Sequence, residues 1–193
     1  MLQETYRDRL AISATSPQEW RDWLAANYDR ERSIWLIIFK KASTRPSVTY
    51  PEAVEEGLCW GWIDSLPNKR DGESYYVLFS PRHQQSNWSR VNKEKVARLP
   101  REERMAEPGL EMVRLAQASG TWDALNEVED LVVPDDLGAA LDAAPGAWTG
   151  WEAYPDSSKR GTLEWLFNAK RAGTRGKRIQ RIVAAAVAGE RPL

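Results

Sequence analysis

The bulkiest apolar run in the chain is Ile34-Trp35-Leu36-Ile37-Ile38-Phe39, six residues between Ser33 and Lys40. A helix that crosses a membrane needs about 20 such residues, so no membrane span is expected. The run is rich in β-branched and aromatic side chains and bounded by charge, which marks a buried strand. A buried strand needs neighbours to pair with and helices to cover it, and both leave signatures elsewhere in the 193 residues.

The helices announce themselves at their starts. Ser16-Pro17-Gln18-Glu19 offers a Ser N-cap, a Pro in the first position and a Glu three residues after the cap. Trp20, Trp23 and Leu24 follow at helical spacing and are expected to pack inward, with Trp35, Trp60 and Trp62 as further core residues. Thr49-Tyr50-Pro51-Glu52 repeats the pattern and opens a second helix to about Trp60. Gly61 to Ser65 then reads as a short strand ending in a polar turn, Asp71-Gly72 as turn chemistry, and Tyr75 to Phe79 as another strand. The rest is helical: Ser89 to Leu99, Gly109 to Gly120, Leu137 to Ala144, Gly146 to Tyr154, Lys159 to Lys170 and Thr174 to Ala188. The last helix carries Ile179, Ile182, Val183, Ala186 and Val187 on one stripe. The expected fold class is α+β, a small N-terminal α-β-α-β-β unit over about 1–100 packed with a C-terminal helical segment over about 101–193, together one domain.

Composition narrows the chemistry. A lone cysteine, Cys59, excludes an intramolecular disulfide, and with no neighbouring cation it reads as an inert buried thiol. A lone histidine, His83, argues against His-based metal sites and Ser–His–Asp catalysis, and no G-x-S-x-G elbow is present. Neither a metal nor a cofactor is expected. The first ten residues, MLQETYRDRL, are too charged for a signal peptide, so the expected location is cytoplasmic. Net charge is −1, yet the charges are segregated: 102–156 holds thirteen acidic and two basic side chains, 159–193 nine basic and two acidic. Such asymmetry implies complementary surfaces within the fold or a basic face for an anionic partner.

Three polar clusters break the core-like pattern. In Cys59-Trp60-Gly61-Trp62-Ile63-Asp64-Ser65, Asp64 sits at a strand end, either capping a turn or facing a ligand as a candidate catalytic carboxylate. In Ser80-Pro81-Arg82-His83-Gln84-Gln85-Ser86-Asn87-Trp88-Ser89-Arg90-Val91-Asn92, a strand feeds a helix start marked by Ser86 and Ser89. Free N–H groups there favour an anion, onto which Arg82 forks and beside which Trp88 stacks; the competing reading is a capped helix with Arg82 in an internal ion pair. In Lys170-Arg171-Ala172-Gly173-Thr174-Arg175-Gly176-Lys177-Arg178, cations crowd a helix start against the macrodipole. Arg175 and Arg178 are therefore expected to pair with carboxylates of the acidic segment or with the anion near Arg82.

The stretches CWGWIDS, SPRHQQSNWSRVNKEKV, MAEPGLEMVRLAQASGTWDAL, VPDDLGAAL and NAKRAGTRGKRIQRIV resemble the YdeI/OmpD-associated family, also labelled bacteriocin-protection proteins. The resemblance runs from about Trp20 to Gly189, with Asp64, Arg82, Ser86, Trp88, Ser89, Asn92, Lys170, Arg175 and Arg178 on motif positions. It departs at Pro100 to Met105, where a Gly-Arg-Met turn is expected. It implies an intracellular bacterial protein linked to envelope stress and antimicrobial-peptide tolerance, and its name suggests association with an outer-membrane porin.

The leading expectation is a small-anion or partner-binding protein whose ligand site uses Arg82, Ser86, Trp88, Ser89, Asn92, Arg175 and Arg178. The alternatives are an enzyme using Asp64 as general acid–base with Arg82 holding an anionic substrate, and nucleic-acid binding through the basic C-terminal helix. An enzyme is the less favoured of the first two, for want of a recognisable nucleophile–base pair. Nucleic acid is not expected at a pI of about 6.0.

Overall fold

In the computed structural model, residues 1–65 and 67–192 are described, and the chain divides into two compact units, Met1–Trp122 and Asp123–Leu193. The first holds a mixed sheet with helices and the second is helical, an α+β protein. Among the described residues no helix is long and apolar enough to cross a membrane.

The first unit runs β1 (Gln3–Tyr6), β2 (Arg9–Ser13), α1 (Pro17–Asn27), β3 (Ile34–Phe39), α2 (Tyr50–Cys59), β4 (Trp62–Asp64), β5 (Asn68–Lys69), β6 (Ser74–Pro81), α3 (Arg90–Arg98) and α4 (Glu107–Ser119). The apolar run is the middle of the sheet. β3 pairs in parallel with β2 and antiparallel with β6, in the order β1-β2-β3-β6-β4, with β5 also on β6. All six of its residues are buried because both faces are covered. Ile34, Leu36 and Ile38 join Trp20, Leu24, Leu58, Trp62 and Phe79 under the helices, while Trp35, Ile37 and Phe39 join Ala11 and Tyr76 on the other face.

Sequence reading missed the β1–β2 hairpin, so the unit begins β-β-α rather than α-β-α. Its turn, Arg7-Asp8, has positive φ at both residues (50° and 57°) without the usual Gly or Asn. The hairpin also shapes the sheet. β1 lies three strands from β6, yet the Tyr6 ring stacks on Tyr76 at 3.9 Å and Glu4 accepts from the Tyr76 hydroxyl at 2.6 Å. The sheet must therefore curl, with β1 folded over the face that carries Trp35. Arg70 clamps the curl, its Nε and Nη2 donating to the two Glu4 oxygens at 2.9 and 2.8 Å.

That clamp titrates. The Arg70 donors hold the Glu4 carboxyl down from 4.5 to about 2. As pH falls below the ordinary carboxylate value, the unfolded chain takes up a proton that folded Glu4 refuses, so the clamp weakens between about 4.5 and 2 and contributes nothing below. In urea melts across this range, the stability gap between wild type and Glu4→Gln should be constant above pH 4.5 and close towards pH 2. A pH-independent gap would mean that Glu4 does not titrate with folding.

Both expected helix starts are present. Ser16 accepts from the Glu19 N–H at 3.2 Å, and Thr49 with Glu52 forms a capping box. Trp20 donates to the Ala53 carbonyl at 3.1 Å and Trp62 to the Tyr28 carbonyl at 3.2 Å, so both buried indoles are satisfied. Trp23 and Trp60 are only half-buried. α4, grouped by sequence with the C-terminal helices, packs on α2: a Cβ on Gly109 would lie 2.4 Å from the Cys59 carbonyl oxygen. Beside that contact, Glu56 is 4% exposed and accepts from Arg21 at 2.8 Å and Arg104 at 2.7 Å.

The second unit runs α5 (Asn126–Glu129), α6 (Asp135–Asp142), α7 (Ala147–Glu152), α8 (Asp156–Phe167) and α9 (Ala172–Ala188). Its core gathers Leu137, Leu141, Trp151, Leu163, Leu166, Ile182 and Ala186. The stripe on α9 is narrower than periodicity suggests: Ile182 and Ala186 are buried, Ile179 and Val183 half-buried, and Val187 is 54% exposed. It lies against α7, where a Cβ on Gly150 would fall 1.8 Å from the Ala186 carbonyl oxygen.

Candidate functional site

Arg82 leaves β6 just after Pro81, its own N–H bonded to the Gly61 carbonyl at 2.8 Å. This bond turns the chain inward, and the side chain ends 6% exposed. Its guanidinium carbon lies 3.8 Å from the centre of the Trp88 ring, a face-on cation–π contact, and Nη2 donates to the Asn87 carbonyl. Nε and Nη1 are buried and have no acceptor. Burial pushes the guanidinium down to about 10, against the nearby charge of Asp64, which acts in the opposite direction. Arg82 is thus a largely dehydrated cation, and among the described residues no carboxylate is bonded to it, so the internal ion pair weighed from the sequence is not formed there.

The neighbours divide into walls and caps. Trp88 is 2% exposed and tilts against Trp122 at 5.1 Å. Asp64, half-exposed at the end of β4, accepts from the Tyr50 hydroxyl at the start of α2. Burial, then this hydrogen bond, raises the Tyr50 phenol above its ordinary range and keeps it a donor. Ser89 is the N-cap of α3, accepting from the Asn92 N–H at 3.4 Å. Ser86 is not part of that helix start: its N–H closes a turn onto the His83 carbonyl at 2.9 Å, and α3 begins four residues later at Arg90. Arg82 therefore binds the connection between the two serines instead of forking beyond it.

Arg175 and Arg178 lie in the second unit with local partners. Arg175 grips Asp136 with Nε at 2.5 Å and Nη2 at 2.7 Å, the pairing with the acidic segment that charge segregation suggested. The bonds to Arg175 lower the Asp136 carboxyl. Both groups are partly exposed, 29% and 45%, so the pair contributes about 0–1 kcal/mol. Arg178 donates to the Trp165 carbonyl and lies 4.7 Å from that indole ring. Arg175 also borders a small cavity of about 150 Å³ lined by Val128, Val132, Pro134, Leu163 and Phe167.

Sequence reasoning missed a second polar setting in the first unit. At the mouth of the curled sheet, Arg7, Arg9, Trp35, Ser65, Asn68 and Leu78 line a cleft of about 500 Å³. Its residues come from the hairpin, β3, the end of β4, β5 and β6, so no stretch of sequence displays them together.

Against known families the chain divides as the structure does. Residues 12–112 match a family model described as a domain of unknown function (DUF8412), and residues 130–189 match one described as bacteriocin-protection, YdeI or OmpD-associated. The resemblance seen from Trp20 to Gly189 is thus carried by the second model only within the second unit. No curated protein and no solved structure matches the chain. Since the first match spans more than half of the 193 residues, the chain belongs to the DUF8412 domain family, and it carries a bacteriocin-protection, YdeI- or OmpD-associated domain over residues 130–189.

Proposed function

We propose that the protein binds a small anion at Arg82 in the first unit, with Trp88 as the stacking wall and Ser86, Ser89 and Asn92 beside it, and that this binding serves bacteriocin tolerance in the cytoplasm. The observation that carries the reading is the Arg82 guanidinium itself, buried with Nε and Nη1 unsatisfied. Leaving buried donors without partners costs about 1–3 kcal/mol each, and a carboxylate or phosphate would recover that cost. Arg175 and Arg178 act in this reading as supports of the second unit, and a porin or other protein partner would attach independently of Arg82. The family description supports the link to bacteriocin protection.

Arg82→Met and Arg82→Lys test it. Met replaces an unpaired buried cation with an apolar chain of similar reach and should melt at or above the wild-type temperature. Lys keeps a point charge but loses the planar fork. In a thermal-shift screen of anionic metabolites, a true ligand at 100 times its Kd stabilises wild type by about 2.7 kcal/mol. That shift should vanish in the Met variant and shrink in the Lys variant. A ligand shift that survives Arg82→Met would overturn the reading.

The enzymatic alternative has one observation behind it: Asp64 is near enough for its charge to act on Arg82. If Asp64 is the acid–base group, Asp64→Asn should abolish turnover of the ligand found in that screen while leaving its binding intact.

A further inference from the structure

We infer that the mouth of the curled sheet is a second binding site, separate from Arg82, for an aromatic carboxylate. The cleft has an apolar floor and a cationic rim. Trp35 of β3 and Leu78 of β6 face it side by side in register, while Arg7 comes from the hairpin turn and Arg9 from the start of β2. Its volume of about 500 Å³ suits a ligand of one or two rings.

Three observations point to a ligand. Trp35 is 5% exposed, and its indole Nε1 is buried with no acceptor. Trp20 and Trp62 have found backbone carbonyls for theirs, whereas Trp35 and the half-buried Trp60 have not. Second, the rim cations lack counter-ions. Among the described residues neither Arg7 nor Arg9 forms an ion pair; Arg9 donates to the Ser33 hydroxyl at 3.0 Å, and Arg7 lies over the Tyr6 and Trp35 rings at 5.2 and 6.0 Å. Arg70, the other cation of the curl, is already neutralised by Glu4. Third, the charge extends outward: the adjoining cleft adds Arg30 and Arg32, which form no ion pair among the described residues, against the carboxylates of Asp8 and Glu31. The net field at the mouth attracts anions.

The backbone agrees with this use. Holding Arg7 and Asp8 at positive φ is costly for residues with a Cβ. That turn puts the Arg7 guanidinium over the aromatic floor, where a ring beneath it and a carboxylate beside it would be gripped together.

The test is a titration of the full chain with 2-naphthoate, read from the indole N–H resonances of nitrogen-15-labelled protein, with the Trp35 signal assigned by its loss in Trp35→Phe. The expected result is a saturable downfield shift of the Trp35 resonance. Arg7→Gln and Arg9→Gln should each weaken the affinity by about tenfold, and uncharged 2-naphthol should bind about tenfold more weakly than naphthoate. Should Arg7→Gln fail to fold, the exposed Arg9 carries the test. Arg82→Met should leave the titration unchanged, so the failure of either site is seen without the other. Equal affinity for naphthol, wild-type affinity in the folded Gln variants, or no saturable shift at Trp35 would each overturn the inference.

Discussion

Replacing Glu56 by alanine should destabilise the first unit by about 3 kcal/mol, near the lower end of the range for breaking a buried ion pair from one side. The carboxylate is 4% exposed, and its oxygens take one donor each from Arg21 and Arg104. Arg21 also donates to the Arg104 carbonyl at 2.7 Å, so the three groups tie α1, α2 and the segment before α4 into one knot. Burial pulls Arg104 down, but its bonds to Glu56, Glu102 and Glu55 outweigh that and hold it above the ordinary arginine range. Without Glu56, two guanidinium groups face a dry hole and each other. They are 25% and 29% exposed and can turn partly to water, which is why the lower end applies. Urea denaturation of Glu56→Ala checks the size, and the double variant Glu56→Ala/Arg21→Ala should recover part of the loss. A single-variant cost under about 1 kcal/mol would place the knot among ordinary surface pairs.

Trp35→Ala should cost about 3–5 kcal/mol, the range for removing a large aromatic from a packed core. Its ring meets Tyr6 edge-on at 5.0 Å and Tyr76 at 6.0 Å, and those two stack on each other. The three rings hold the curl of the sheet, so the loss is a cavity together with two orphaned aromatic contacts. Trp35→Phe should cost much less, since it keeps a ring in the cluster. An alanine variant with the wild-type denaturation midpoint would mean that the curl is held by Glu4 and Arg70 alone.

What was legible in the sequence follows from the range of the interactions. The Ile34–Phe39 strand and the helices opened by Ser16 and Thr49 are written in contiguous residues, and each is present. The β1–β2 hairpin is not legible because its turn is Arg7-Asp8, whose positive φ has no glycine to advertise it. Arg82 and Trp88 were singled out, and the structure sets them face to face. The details differ because helix onset depends on a single cap: Ser89 supplies it, and Ser86, three residues earlier, is left in a turn. Val187 shares the apolar spacing of its helix yet stays exposed, because periodicity gives a direction but not how far the neighbouring helices extend. The cleft at the sheet mouth was illegible for a plainer reason: its walls run from Arg7 to Leu78, 71 positions apart in the chain.

The burial of Cys59 has a kinetic consequence. Cys59 is wholly buried at the end of α2, and burial pushes its thiol up to about 11, so the native state presents almost no thiolate. A thiol reagent can then modify the protein only through an excursion that exposes the core around Cys59. The chain has no other cysteine. When reclosing is fast compared with the reaction, the labelling rate scales with the equilibrium population of that opened form. The protein therefore carries a single chemical clock for the opening of the core around the end of α2, readable at native conditions without a probe being introduced.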